Sequence, residues 1–148
     1  LKLIIVGDGE ENEKKDLEKS LSNNKVDFKF FKRTNQNNLK KIINLADAFI
    51  LPSLYEGNPK ILIEMMSYKV PIIATKVPGI DNLVDNKSCL LIPDTSPRSI
   101  RQSILEFYKI NKEKKKIYIQ NAYKVSLKQS LEKICKEESD LYKLLNEK

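Results

Sequence analysis

Short apolar runs alternate with stretches of helical periodicity through the first two thirds of the chain, and this alternation restricts its fold more than any other feature. The strand candidates are Leu1–Val6, Val26–Phe31, Ala48–Pro52, Val70–Thr75 and Ser88–Ile92. Most are apolar at successive rather than alternate positions, as strands buried between two helix layers must be. Between them, Glu11–Leu21, Gln36–Ala46 and Pro59–Lys69 are each long enough for a crossover helix. Gly79–Val84 has room for only a short helical turn. A β-α-β-α series of this kind predicts an α/β fold, with a parallel sheet covered by helices on both faces.

After Pro93 the pattern becomes helical throughout. Ser96 and Pro97 read as N-cap and first residue of a helix reaching about Ile110. A second helix is expected over Lys112–Lys124. A third starts at Ser126, where S-L-K-Q puts Gln129 in the capping-box position, and apolar residues at 127, 131, 134, 141 and 145 form a stripe interrupted by Glu138. The expectation is one domain over residues 1–148, a β/α core to residue 95 followed by C-terminal helices.

Composition limits the chemistry. The 148 residues contain no histidine, which removes imidazole acid/base catalysis, Ser-His-Asp nucleophiles and His-ligated zinc. Cys89 and Cys135 form no C-x-x-C pair and read as ordinary reduced core thiols of a cytoplasmic protein. No apolar run approaches the roughly 20 residues that span a bilayer, and L-K-L-I-I-V-G-D-G-E is not a signal peptide. The net charge of +7 leans toward the tail: residues 111–148 hold 10 basic and 6 acidic side chains. Only Arg33, Arg98 and Arg101 are arginines, so a lysine-rich solvated surface is expected rather than a nucleic-acid site. Contact with an anionic lipid surface stays open.

Two segments could carry function. G-D-G-E-E-N at Gly7–Asn12 follows a strand and opens a helix, as a dinucleotide fingerprint does. Asn12 replaces the third glycine, and Glu10 and Glu11 repel a pyrophosphate, so a tight strand-to-helix turn explains it without NAD. The second segment is L-P-S-L-Y-E-G-N-P-K-I-L-I-E-M-M-S-Y-K-V-P-I-I-A-T, residues 51–75. A buried strand ends near Pro52, and a helix is expected to start with Asn58 as N-cap and Pro59 at its first position. The turn then lies at the carboxyl edge of the sheet, where the amides of Lys60 and Ile61 would make an anion site. Glu56 and Glu64 flank it with seven residues between them. A carboxylate at Glu64 can accept two hydroxyl hydrogen bonds from a ribose diol. On spacing alone a solvated Lys60–Glu64 pair is the simpler account.

The order of these motifs resembles a known family. L-I-I-V-G-D-G-E, V-D-F-K-F-F, N-L-A-D-A-F-I-L-P-S-L-Y-E-G, L-I-E, P-I-I-A-T, P-G-I-D-N-L-V, C-L-L-I-P, Asn121-Ala122 and D-L-Y-K-L-L occur in sequence. From Leu1 to about Leu145 the chain resembles the C-terminal, nucleotide-sugar-binding half of retaining glycosyltransferases with the GT-B fold, the group 1 or family four enzymes of bacterial lipopolysaccharide, capsule and lipid glycosylation. The resemblance implies a Rossmann-like sheet and a donor nucleotide sugar as substrate, with no further cofactor and no metal. It makes Glu56 the candidate catalytic residue, facing the donor sugar, and Glu64 the residue holding the ribose hydroxyls. Backbone groups of Gly57, Asn58, Pro59, Lys60 and Ile61 would meet sugar and diphosphate, Phe31 and Lys32 would flank the base, and Gly7 would line the cleft floor. Retention in this family is thought to need no protein nucleophile, and stabilisation of the departing diphosphate does most of the catalysis.

The chain departs from the family pattern in several places. Asn58-Pro59-Lys60 stands where Phe-Gly-Leu is frequent, which removes a backbone donor at Pro59. Lys69 replaces the usual helix-ending glycine at a cost of about 1 kcal/mol if left-handed, and Asn82 stands where an acid is common. The family's first strand and helix, with a basic pair on the diphosphate, and its N-terminal acceptor-binding half have no counterpart here. Leu1–Val6 is therefore expected to pair directly with Ala48–Pro52 or to leave a gap. The sequence reads as a fragment, a split-gene product or a degenerate copy, inactive alone as a transferase. The implied partners are a nucleotide sugar, a glycan or lipid acceptor and the acceptor-binding half, at a cytoplasmic site or the inner face of the membrane. A non-catalytic assembly module of the same fold and a sugar-nucleotide epimerase are the competing readings.

Overall fold

The structure is a computed structural model that describes residues 1–129 together with 135, 136, 138–140, 142 and 143. The elements are β1 (Lys2–Val6), α1 (Glu11–Asn23), β2 (Asp27–Phe31), α2 (Gln36–Ile43), β3 (Phe49–Leu51), α3 (Lys60–Ser67), β4 (Ile72–Thr75), β5 (Leu90–Ile92), α4 (Pro97–Lys109) and α5 (Lys112–Lys128). They fall into two compact units, Leu1–Ala46 and Asp47–Lys148. All strand pairing is parallel, as the alternation requires, and forms two sheets, β1-β2 and β3-β4-β5. Within the first unit β1 pairs with β2, and within the second β3 pairs with β4.

In the first unit, Lys2 to Val6 pair in register with Asp27 to Phe31, and the ladder continues through the Gly7 amide to the Phe31 carbonyl at 3.0 Å. Phe28 and Phe30, two apart on one face, stack edge to face at 5.6 Å, with Lys14 of α1 over Phe30. Helix α1 buries no residue fully, and it ends in a Schellman pattern at Lys25, φ 52°. Asn35 caps α2 by accepting from the Asn38 amide at 3.0 Å.

The second unit contains the core. β4 is buried at all four positions, so both its faces are covered. Ile73, Leu90 and Ile92 pack with Phe107 of α4 and Tyr118 of α5. Leu62, Met65 and Met66 of α3 are almost inaccessible, and α3 packs on α5. Each such side chain contributes about 1.5–3 kcal/mol by burial. Ser96 caps α4 by accepting from the Ser99 amide, with Pro97 at the first position as expected. Lys69 takes the left-handed conformation, φ 60°, in a Schellman cap in which Lys69 N donates to Met66 O and Val70 N to Met65 O. Its ammonium lies 4.5 Å from the centroid of the Tyr123 ring, which offsets part of the strain.

Two helix boundaries correct the sequence reading. α5 runs without interruption from Lys112 to Lys128, so no helix starts at Ser126. Ser126 is buried on the same helical row as Tyr118 and Ala122, and its hydroxyl donates back to the Tyr123 carbonyl at 2.8 Å instead of capping. Leu127 is exposed rather than part of an apolar stripe, and of the two expected core thiols Cys89 is buried while Cys135 is exposed. Stripe positions 131, 134, 141 and 145 lie outside the described residues.

Candidate functional site

Parallel pairing brings the carboxyl ends of β3, β4 and β5 to one edge of the second sheet. The loops that follow these strands carry the candidate residues, the position at which open α/β sheets bind ligands. After β3, the chain turns through Pro52–Pro59 into α3. Glu56 is half-buried on this turn, and its Oε1 accepts the Ser53 hydroxyl at 2.7 Å. Ser53 is anchored in turn: the hydroxyl of Thr75, inaccessible at the end of β4, donates to the Ser53 carbonyl at 2.6 Å. The Glu56 amide donates to the Pro78 carbonyl at 3.3 Å. Gly79, φ 88°, lies directly beneath the Glu56 and Gly57 carbonyls, and a Cβ there would overlap the Glu56 carbonyl group. Only glycine permits both that approach and that φ.

The start of α3 differs from expectation. The N-cap is Pro59, with no side-chain cap, so Asn58 is not the capping residue. The Asn58 carbonyl accepts the Lys60 amide at 2.8 Å, and the Pro59 carbonyl accepts the amides of Leu62 and Ile63. Pro59 has ψ 72°, a conformation short of helical, which displaces the helix start by one residue. The Lys60 amide is therefore engaged. Among the described residues, the amides of Gly57, Asn58 and Ile61 donate to no protein acceptor. These three donors, at a helix N-terminus whose dipole favours negative charge, can receive an anion.

Glu64 lies in the second turn of α3 and is half-buried. No Lys60–Glu64 ion pair forms among the described residues; Glu64 Oε1 lies 3.5 Å from the Tyr68 hydroxyl, a long contact, and the Ser67 hydroxyl donates to the Glu64 carbonyl at 2.6 Å. The carboxylate keeps capacity for further donors. Asp94, after β5, is engaged in capping: it accepts from the Ser96 amide at 2.8 Å and from the Ser99 hydroxyl at 2.7 Å. The side chains of Ser96 and Ser99 hold its carboxyl below the usual range. Asn82 is exposed on the turn after β4.

The remaining expected residues, Gly7, Phe31 and Lys32, belong to the first unit. There β1-β2 pairing joins Gly7 and Phe31 at the strand ends, with Lys29 over the Phe31 ring at 4.8 Å and Lys32 exposed. Gly7 adopts φ 149° with open space where a Cβ would sit, so its glycine serves backbone conformation alone. Ser53, Thr75 and Gly79 support this site without being marked by any motif of their own. A threonine ending a wholly buried strand and the Pro78-Gly79 dipeptide were the available signals.

The profile of the family described as Glycosyl transferases group 1 matches residues 1–125. A Bacillus subtilis (strain 168) protein named as a teichuronic acid biosynthesis glycosyltransferase is 37% identical over 62 residues, 42% of this chain and 16% of that protein. The Escherichia coli UDP-Gal:alpha-D-GlcNAc-diphosphoundecaprenol alpha-1,3-galactosyltransferase is 35% identical over 89 residues, 57% of this chain and 21% of its own. The structure of Anabaena Alr3699/HepE in complex with UDP and glucose superimposes with a TM-score of 0.79 at 19% identity, over 97% of this chain and 40% of that one. The chain thus spans less than half the length of each of these three proteins. With a match over residues 1–125 and the α/β architecture of GT-B structures, the chain belongs to the group 1 glycosyltransferases.

Proposed function

We propose that this chain is the donor nucleotide-sugar-binding part of a retaining glycosyltransferase that moves a hexose to a glycan or lipid acceptor. The observation that carries the reading is the loop from β3 to α3, where Glu56 is fixed by Ser53 next to three unengaged amides, with Glu64 one helical turn further on. The amides of Gly57, Asn58 and Ile61 take the diphosphate, and Glu64 accepts the ribose hydroxyls. Glu56 faces the sugar at the reacting carbon. As the bond from that carbon to the phosphate oxygen breaks, its electron pair passes to the leaving diphosphate, whose growing charge these fixed donors stabilise. The acceptor hydroxyl attacks from the same face: its oxygen bonds to that carbon and its proton passes to the departing diphosphate, which has gained the electron pair. Neither a histidine nor a metal is needed.

Transfer requires an acceptor-binding half, so the chain alone binds donor without turnover. The E. coli relative is named for a UDP-sugar donor and a lipid-diphosphate acceptor, and the Anabaena structure is titled with UDP and glucose; both support this substrate class. A lipid-linked acceptor suits a cytoplasmic protein whose lysine-rich surface rests on the inner face of the membrane. Among the described residues no helix is long and apolar enough to cross a membrane.

Titration of the 15N-labelled chain with UDP, GDP and ADP tests the assignment. The expected result is a saturable shift of the Gly57, Asn58 and Ile61 amides with at least one nucleotide. Unmoved amides at millimolar concentrations of all three would overturn it.

A further inference from the structure

Within the proposed donor site, Glu56 is held at three points. Its amide is bonded to Pro78, its carbonyl lies over Gly79, and its Oε1 accepts from Ser53. Residues 75–79, at the end of β4 and just beyond it, supply the first two and anchor the third through Thr75. The Ser53 hydroxyl has one proton, and at 2.7 Å from a carboxylate oxygen that proton is committed to Oε1. Among the described residues no protein group bonds Oε2. A glutamate without such a tie samples several side-chain rotamers and presents either oxygen.

We infer that Ser53 is a positioning residue: by tying Oε1, with its own carbonyl locked by the buried Thr75 hydroxyl, it presents Oε2 of Glu56 as the acceptor for a donor-sugar hydroxyl. The inference rests on Glu56 as the sugar-facing carboxylate. Thr75 donates its one hydroxyl proton to the Ser53 carbonyl at 2.6 Å, and the same hydroxyl oxygen lies 3.4 Å from the Leu51 carbonyl. It therefore couples the end of β4 to the turn that carries Glu56. Placement to within about half an ångström is what an oriented sugar contact demands.

The test compares wild type with Ser53→Ala, Ser53→Thr, Thr75→Val, Thr75→Ser and Glu56→Gln in the full chain. Scalar couplings about the Glu56 Cα–Cβ bond are read without ligand. A single rotamer is expected in wild type, Ser53→Thr and Thr75→Ser, and averaged couplings in Ser53→Ala and Thr75→Val. In parallel, whichever of UDP, GDP and ADP binds is compared with its glucose ester. Ser53→Ala is expected to lose about tenfold of the preference for the ester, as Glu56→Gln does, while affinity for the diphosphate stays within about twofold. Hydroxyl-retaining variants restore the preference.

A merely structural role would move both affinities together. Fixed Glu56 couplings in Ser53→Ala, or an intact ester preference there when Glu56→Gln loses it, would overturn the role of Ser53 and leave the donor-site reading standing. An ester preference absent from wild type or unchanged by Glu56→Gln would overturn the role of Glu56 itself, as would binding of none of the three nucleotides, and the inference falls with it.

Discussion

Among the described residues, the first unit carries β1, α1, β2 and α2 with Ile43 as its only buried hydrophobic side chain, whereas the second holds every other one, from Leu62 to Ala122. Both arise from the same alternation of apolar runs and crossover helices. Leu3, Ile4 and Ile5 of β1 are half-exposed, while Ile72, Ile73 and Ala74 of β4 are inaccessible. A central strand with two neighbours meets the burial its sequence anticipates, and a two-stranded ladder does not. The contrast extends to function. Every side-chain tie that fixes Glu56 belongs to the well-packed unit, whereas Gly7, Phe31 and Lys32 are assigned by resemblance and sit on the sparsely buried one.

Paired substitutions probe this contrast. Leu62→Ala, in α3, is expected to cost about 2–5 kcal/mol, and Leu17→Ala, on the 42% exposed residue of α1, less than about 1 kcal/mol. Equal losses in urea unfolding would erase the distinction. The glycines form a second pair. Gly79→Ala forces a Cβ against the Glu56 carbonyl and is expected to cost about 2 kcal/mol or more, shifting the Glu56 and Gly57 amides. Gly7→Ala meets only conformational strain of about 1–2 kcal/mol.

How much of this was legible follows from where the determining interactions lie. The α4 start at Ser96-Pro97, the left-handed Lys69 and the parallel direction of the strands are local or periodic properties, and the sequence carries them directly. Asn58-Pro59 has the pattern of a cap and first helical residue, but α3 starts one residue later because the Lys60 amide bonds to the Asn58 carbonyl. The Ser126 cap failed for a tertiary reason: burial with Tyr118 and Ala122 keeps the residue inside α5. The support of Glu56 from Thr75 and Gly79 joins residues about 20 apart, which no local pattern reveals.

Smaller effects sharpen the comparison further. Burial, with a further contribution from the Asp85 charge, pushes the Cys89 thiol from its ordinary 9.0 up to about 12. The native state therefore disfavours the thiolate that the unfolded chain forms. Cys89 contributes its full stability below about pH 9, and this is lost as pH rises toward 12. Denaturation midpoints at pH 8 and 11 should fall less in Cys89→Ala than in wild type; equal falls would show that the thiol is not shielded. Least affected should be Lys2→Ala, which removes the 3.1 Å Lys2–Asp27 pair joining β1 to β2. Both side chains are more than half exposed, and a change within about 0.5 kcal/mol is expected in urea.

The most direct test of the donor-binding account is the affinity of the wild-type and Glu64→Ala chains for UDP, GDP and ADP, measured by ligand-observed NMR. The account predicts that at least one of the three binds wild type at millimolar concentration or below, and that Glu64→Ala weakens that binding about tenfold or more. No binding by wild type, or equal binding by Glu64→Ala, would contradict it.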